Sequence, residues 1–245
     1  MESFYFIDIH CHLIPGVDDG AKDIKESIAA LREEYNQNVR KVICTPHAAA
    51  NISFQKVEHI KTAFKELKTC LKKTEFGNEM ELYLGCELMY SESLAERLES
   101  GEIWTMSGTS YILVEFPPTV TYEELYHAVR RLSDKGYLPI LAHIERYQCL
   151  HKRLEQIKDL LDLGAYFQIN ASSLRAGIFH QRNSFIKKLC KSGLVHFLAT
   201  DSHGMVHRQP DMKKGAEWVM HNCDSQLGQK ILCQNGNSLL NDIII

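Results

Sequence analysis

Apolar and polar positions follow two different periods along the chain. Seven short stretches rich in β-branched or aromatic residues, at 4–10, 39–45, 80–86, 111–116, 138–143, 166–170 and 195–200, read as buried strands. Between most of them the apolar spacing becomes helical. Ile24, Ile28, Leu31 and Tyr35 form one stripe, and Val57, Ile60, Phe64, Leu67 and Leu71 a longer one. Leu125, Val129 and Leu132 make a third stripe; Leu154, Ile157 and Leu161 make a fourth. Gly136, Gly164 and Gly193 fall where a left-handed residue ends a helix.

Strands and helices that alternate at this length predict an α/β fold with a mainly parallel sheet. Seven repeats favour a closed or nearly closed barrel over an open sheet, although spacing alone allows both. No linker, low-complexity segment or internal repeat interrupts the chain, so residues 1–245 are expected to form one domain.

The chemistry-bearing residues gather at the carboxy-terminal ends of the expected strands. The first strand ends in His10-Cys11-His12, followed by a Gly16-Val17-Asp18-Asp19-Gly20 loop. Later strands end in His47, Glu87, Glu115, His143 to Arg146, and Asp201-Ser202-His203. Only the sixth, ending near Asn170, offers no imidazole or carboxylate. A single histidine or glutamate at a strand end is usually structural, but six strand ends together are not explained that way. In parallel α/β barrels this end of the strands builds the active site.

His10 and His12 are two residues apart on a strand and so face the same side, where they can share one metal ion. Asp201-x-His203 repeats the arrangement with a carboxylate. A set of imidazoles and carboxylates without cysteine suits Mn²⁺, Fe²⁺ or Zn²⁺ rather than a thiolate zinc site. His10, His12, Asp19, His47, Glu87, Glu115, His143, Asp201 and His203 are too many ligands for one ion and point to two or three.

Composition narrows the setting. A net charge of -3 supplies no broad attraction to nucleic acid or an anionic membrane. No apolar run approaches the roughly 20 residues of a membrane span, and the first residues lack the pattern of a signal peptide. The eight cysteines are scattered without a C-x-x-C pair and read as reduced thiols, so the expected compartment is the cytoplasm. None has an arginine six positions later, which excludes a cysteine-based phosphatase loop.

The set D-x-H-x-H, D-D-G, T-P-H, G-x-E, E-F-P, A-H-x-E-R-Y and a terminal D-x-H resembles the polymerase and histidinol phosphatase (PHP) superfamily. Within it the chain most resembles the capsule- and exopolysaccharide-associated tyrosine-protein phosphatases of the CpsB/CapC type. Departures at Ile144, Thr200 and Gly236 remove no expected ligand. The resemblance implies a distorted seven-stranded (β/α)7 TIM-like barrel with a trinuclear, usually manganese-preferring centre. It implies one ion on His10, His12, Glu87 and Asp201, a second on Glu87, Glu115 and His143, and a third on Asp19, His47 and His203. Arg146 and Arg208 match the arginines that hold the substrate phosphate in that family.

The expected activity is hydrolysis of phosphotyrosine by a metal-activated hydroxide. The physiological substrate implied by the resemblance is a bacterial tyrosine autokinase of polysaccharide export. The main alternative is a phosphoesterase on the same scaffold that takes a small phosphomonoester such as histidinol phosphate. Asp8 and Glu145 are candidates for orienting a ligand or an arginine.

Overall fold

The computed structural model describes residues 4–48, 52–174 and 181–245. The first half runs β1 (Phe6–Cys11), α1 (Ile24–Asn36), β2 (Val39–Cys44), β3 (His47–Ala48), α2 (Phe54–Leu71), β4 (Glu81–Leu84), β5 (Glu87–Met89) and α3 (Leu94–Glu99). The second runs β6 (Tyr111–Glu115), α4 (Tyr122–Asp134), β7 (Leu138–Leu141), α5 (Leu154–Asp162), β8 (Tyr166–Asn170), α6 (Gln181–Lys191), β9 (Phe197–Ala199) and α7 (Met212–Asn222). Short helical segments continue to Leu240. Every strand pair among the described residues is parallel, in the orders β1-β2-β4 and β3-β5-β6-β7-β8-β9.

Two of the expected strands are each followed by a second short strand after a break. Thr45-Pro46 separates β2 from β3, and Gly85-Cys86 separates β4 from β5. Pro46 has no N–H to donate, so the ladder must interrupt there. Hydrogen bonds bridge the gaps: Thr45 N–H donates to Cys11 O at 2.8 Å, Gly85 N–H to Cys44 O at 2.8 Å and Glu87 N–H to Pro46 O at 3.2 Å. On its other edge, β1 receives Asp201 N–H at His10 O (2.8 Å), while His12 N–H donates to Ser202 O (2.8 Å). β1 is therefore bonded on both sides, and the first and last motifs lie against each other.

Alternate residues of the strands, among them Ile7, Ile9, Ile43, Leu113, Ile140 and Phe197, form one apolar cluster closed by Leu239. Their neighbours, such as Val42, Ile112, Val114 and Leu198, belong to the larger core that includes the helices. The α2 and α4 stripes are buried as their spacing predicts. Helix α1 differs: Ser27, Ala30, Leu31 and Glu34 are its buried residues, with Ile24, Ile28 and Tyr35 only partly covered. Gly136, Gly164 and Gly193 adopt positive φ after their helices. None of the eight cysteines forms a disulfide. No described helix is long and apolar enough to cross a membrane.

Candidate metal centre

The residues expected as ligands come from six places in the chain and meet at the carboxy-terminal ends of the strands. His10 Nε2 and His12 Nε2 are 3.3 Å apart, and each faces Glu87 Oε2, at 3.3 and 3.2 Å. Asp201 Oδ1 lies 3.7 Å from His10 and 3.6 Å from His12. His143 Nε2 is 3.0 Å from Glu87 Oε1 and 3.3 Å from Glu115 Oε1. Asp19 Oδ1 sits 3.5 Å from both His47 Nε2 and His203 Nε2, and His47 Nδ1 lies 3.1 Å from Glu87 Oε2. Glu87 is thus the common neighbour of His10, His12, His47 and His143. Its side chain is almost fully buried.

Among the described residues, three groups have donor atoms close enough to converge on an ion: His12, Asp19, His47 and His203; His10, His12 and Asp201; and His47, Glu87 and Glu115. These overlap the expected sets without matching them. His12 joins the Asp19 group, and His47 joins Glu87 and Glu115, where His143 was expected. His143 nevertheless faces the same two carboxylates.

Local backbone geometry aims several of these groups. His143 (φ 33°), Asp201 (φ 52°) and Arg208 (φ 42°) are three of seven described non-glycine residues in the left-handed region. Such a conformation costs about 1–3 kcal/mol and persists only where the surroundings impose it; the other four, Asn38, Ser107, Lys152 and Asp242, lie outside the cluster. His143 lies past the observed end of β7 at Leu141, so the expected strand 138–143 is too long. The left-handed turn starts the short helical turn Ile144–Arg146, closed by Arg146 N–H donating to His143 O at 2.9 Å. One turn of chain thereby presents both an imidazole and a guanidinium.

The cluster is rich in negative charge and holds protons to offset it. Burial pushes the His12 imidazole down, but hydrogen bonds to Asp18 and Glu87 override this and raise it to about 10. The same competition, with Glu115 and Glu87 as partners, raises His143 to about 9. Against burial, the His10, His12 and His143 imidazoles hold Glu87 well below the usual carboxylate range. Burial and neighbouring His12 hold His203 down at about 4, so it is neutral near pH 7. Its Nε2 is buried without a hydrogen-bond partner, 3.5 Å from Asp19 Oδ1. A neutral imidazole with an unpaired nitrogen, among carboxylates that already demand cationic charge, fits divalent metal ions.

Arg146 Nη2 is 2.5 Å from Asp201 Oδ2, and Arg208 Nη1 is 3.1 Å from the same oxygen. Both guanidiniums therefore sit beside the cluster, about a third and a half exposed.

Some of the supporting contacts were not evident from the motifs. Asp18, adjacent to Asp19, is the partner of His12: its Oδ2 lies 2.8 Å from His12 Nδ1 and accepts the His47 backbone N–H at 3.1 Å. Gln168 and Asn170 on β8 reach His10 and Asp201. Asp8 and Glu145 orient backbone rather than a ligand ring or an arginine. Asp8 accepts from His10 N–H and from Thr200 N–H and Oγ1. Glu145 accepts from Asn170 N–H and Ser173 Oγ. The local signal for Asp18 was the D-D-G loop itself; the amides of β8 carried none.

A family profile described as "Capsular polysaccharide synthesis, CpsB/CapC" matches residues 6–241. The chain belongs to the CpsB/CapC family. The tyrosine-protein phosphatase CpsB of Streptococcus pneumoniae is 30% identical over 244 residues, covering 98% of this chain and 100% of that protein. The tyrosine-protein phosphatase YwqE of Bacillus subtilis (strain 168) is 33% identical over 207 residues, covering 82% of this chain and 79% of that protein. A crystal structure described with YwqE and CpsB as "unique metal-dependent tyrosine phosphatases" superposes with a TM-score of 0.87 at 30% identity. That match covers 98% of this CpsB/CapC chain and 96% of the other. A histidinol phosphate phosphatase from Lactococcus lactis shares the fold, with a TM-score of 0.59 at 14% identity over 89% of this chain and 94% of that one. The architecture is accordingly a parallel α/β half-barrel, with structural neighbours in the PHP, TIM-barrel-like class.

Proposed function

We propose that this protein is a metal-dependent protein-tyrosine phosphatase, a phosphoric monoester hydrolase. The observation that carries the reading is the convergence of the imidazoles and carboxylates on Glu87, beside two arginines, in a chain aligned end to end with a tyrosine-protein phosphatase. The barrel has seven strand positions in this reading, β2 with β3 and β4 with β5 each counting once, and residues 1–245 act as one domain.

His10, His12, Asp19, His47, Glu87, Glu115, His143, Asp201 and His203 hold two or three divalent ions, with Mn²⁺ preferred over Fe²⁺ or Zn²⁺. Such ions activate water and offset the charge of the entering and leaving oxygens in phosphoryl transfer. Arg146 and Arg208 bind the oxygens of the phosphate that do not leave, using planar donor pairs suited to that geometry. Asp201, bonded to both guanidiniums, keeps them pointed inward until the phosphate arrives. Asp18 and Gln168 occupy Nδ1 of His12 and His10, leaving each Nε2 turned into the cluster. With the ions bound, the arginines leave the pocket net positive, which favours a phosphate dianion. The tyrosine leaving group has a pKa of about 10, so strong protonation of the departing oxygen is not required.

The substrate in this reading is phosphotyrosine in the tail of a bacterial tyrosine autokinase of capsule or exopolysaccharide synthesis, and the setting is cytoplasmic. No nucleic acid is involved. The fold shared with a histidinol phosphate phosphatase supports a second reading, a phosphoesterase for a small metabolite such as histidinol phosphate.

The test is a paired assay. Chelator-stripped protein, with and without added Mn²⁺, is given p-nitrophenyl phosphate, a phosphotyrosine peptide and histidinol phosphate, beside a His10→Ala/His12→Ala variant. Metal-dependent turnover that the variant lacks, with the peptide favoured over histidinol phosphate, supports the proposal. Preference for histidinol phosphate selects the second reading, and a metal-loaded chain inert on all three rules out both.

A further inference from the structure

β8 is the strand whose end offers no imidazole or carboxylate, yet its two amides lie inside the cluster. Gln168 is fully buried and Asn170 nearly so. Gln168 Oε1 is 3.1 Å from His10 Nδ1 and accepts the His143 backbone N–H at 2.7 Å. Gln168 Nε2 donates to Asn170 Oδ1 at 2.9 Å, and Asn170 Nδ2 donates to Asp201 Oδ2 at 2.9 Å.

This chain of bonds runs in one direction only. Asp201 Oδ2 receives the guanidinium groups of Arg146 (Nη2, 2.5 Å) and Arg208 (Nη1, 3.1 Å), which can only donate, so it is an acceptor. Asn170 must then turn its NH₂ to Asp201 and its oxygen to Gln168. The His143 backbone N–H can only donate, so Gln168 must offer its oxygen there and its NH₂ to Asn170. That same oxygen faces His10, whose Nδ1 must therefore carry the hydrogen. In the neutral ring the lone pair is left on Nε2, the nitrogen turned to Glu87 and Asp201.

We infer that Gln168 and Asn170 are positioning residues that act as one unit, fixing the His10 tautomer and the Asp201 carboxylate for metal binding. The inference rests on the metal-centre reading given above. The two amides connect His10, His143 and Asp201, which come from three strand ends far apart in sequence. Glu145 anchors the pair, since it accepts the Asn170 backbone N–H at 2.9 Å. It also sits in the turn that carries Arg146. A side chain that merely filled this space would be replaceable by any other of equal volume; these two are distinguished by which atom donates and which accepts.

The experiment is calorimetric titration of Mn²⁺ into the chelator-stripped full chain, for the wild type and for Gln168→Leu, Gln168→Glu and Asn170→Ala. Far-UV circular dichroism checks the fold of each. Loss of such a supporting partner weakens metal binding about 10- to 100-fold, and that loss is expected for Gln168→Leu and Asn170→Ala. Gln168→Glu keeps an acceptor toward His10 Nδ1 and His143 N–H, so it should bind at least about tenfold more tightly than Gln168→Leu. Should Gln168→Leu fail to fold, Asn170→Ala carries the test alone, because it leaves the bond to His10 in place. Equal losses in the Leu and Glu variants would mean that the acceptor facing His10 Nδ1 and His143 N–H contributes nothing to metal binding, and would overturn the inference. Wild-type affinity in Gln168→Leu or in folded Asn170→Ala overturns it as well. A wild type that takes up no Mn²⁺ overturns the metal-centre reading and this inference together.

Discussion

Arg146 is bonded to Asp201: its Nη2 lies 2.5 Å from Oδ2, the oxygen that Arg208 also approaches at 3.1 Å. A substrate phosphate has to compete with this carboxylate for both guanidiniums. Removing Arg146 takes away one or more charge-assisted hydrogen bonds, each worth about 1.5–3 kcal/mol. Arg146→Ala is therefore expected to lower kcat/KM on a phosphotyrosine peptide about 10- to 100-fold. Arg146→Lys should fall between, since it keeps the charge but loses the planar fork. Unchanged kcat/KM in Arg146→Ala would remove this residue from phosphate binding.

Metal uptake is expected to release protons. With His12 raised to about 10 and His143 to about 9, both rings are protonated at pH 8 in the metal-free chain. A ligating imidazole must be neutral, so ions displace these protons and bind more tightly as pH rises toward those values. Calorimetry of Mn²⁺ binding at pH 8 in two buffers of different ionisation enthalpy reads the release directly. A heat that does not depend on the buffer contradicts it. Metal at about 100 times its dissociation constant should also stabilise the fold by about 2.7 kcal/mol.

Gly20 is expected to be intolerant of any side chain. A Cβ placed there would lie 1.9 Å from His12 O and 2.6 Å from His12 Cβ. Gly20→Ala must push the Asp18–Asp19 loop off the first motif, at a cost of about 1–3 kcal/mol or more. Denaturant unfolding should show that loss, and Mn²⁺ titration a weaker site. Gly228→Ala is the control, where the nearest atom is Val219 Cγ1 at 3.8 Å. Equal stability of the two variants would refute the close approach.

His196 predicts part of the acid sensitivity. Burial depresses its pKa from 6.5 to about 4, and its Nδ1 accepts the Phe167 backbone N–H at 3.1 Å. The unfolded chain binds the proton more readily, so this contribution is complete above about pH 6.5 and is lost as pH falls toward 4. The loss amounts to roughly 2–3 kcal/mol. Unfolding free energies from pH 7 to pH 4 should fall less steeply for His196→Gln than for the wild type. Parallel curves would show that the ring does not titrate in this way.

The ligand-bearing strand ends were legible because they depend on local pattern. Apolar runs separated by helical stripes marked a parallel α/β fold, and His10, His47, Glu87, Glu115, His143 and Asp201 stood at or beside the ends of those runs. Helices α2 and α4 bury the stripes that their spacing prescribes, because a helix fixes which of its own residues share a face. Family motifs over residues 8–208 then pointed to the chemistry. Contacts between segments distant in sequence were decided only by the tertiary structure. Asp18 and Asp19 are neighbours of one type, yet one holds His12 by Nδ1 and the other faces His47 and His203. Helix α1 buries Glu34, a residue outside its apolar stripe, with Thr200 Oγ1 3.2 Å from its carboxylate. Gln168 and Asn170 belong to no motif, and their part is set only by the approach of His10, His143 and Asp201. Hydrophobic period is written residue by residue along the chain, whereas a hydrogen bond depends on the position and direction of both partners, which exist only once the strands are side by side.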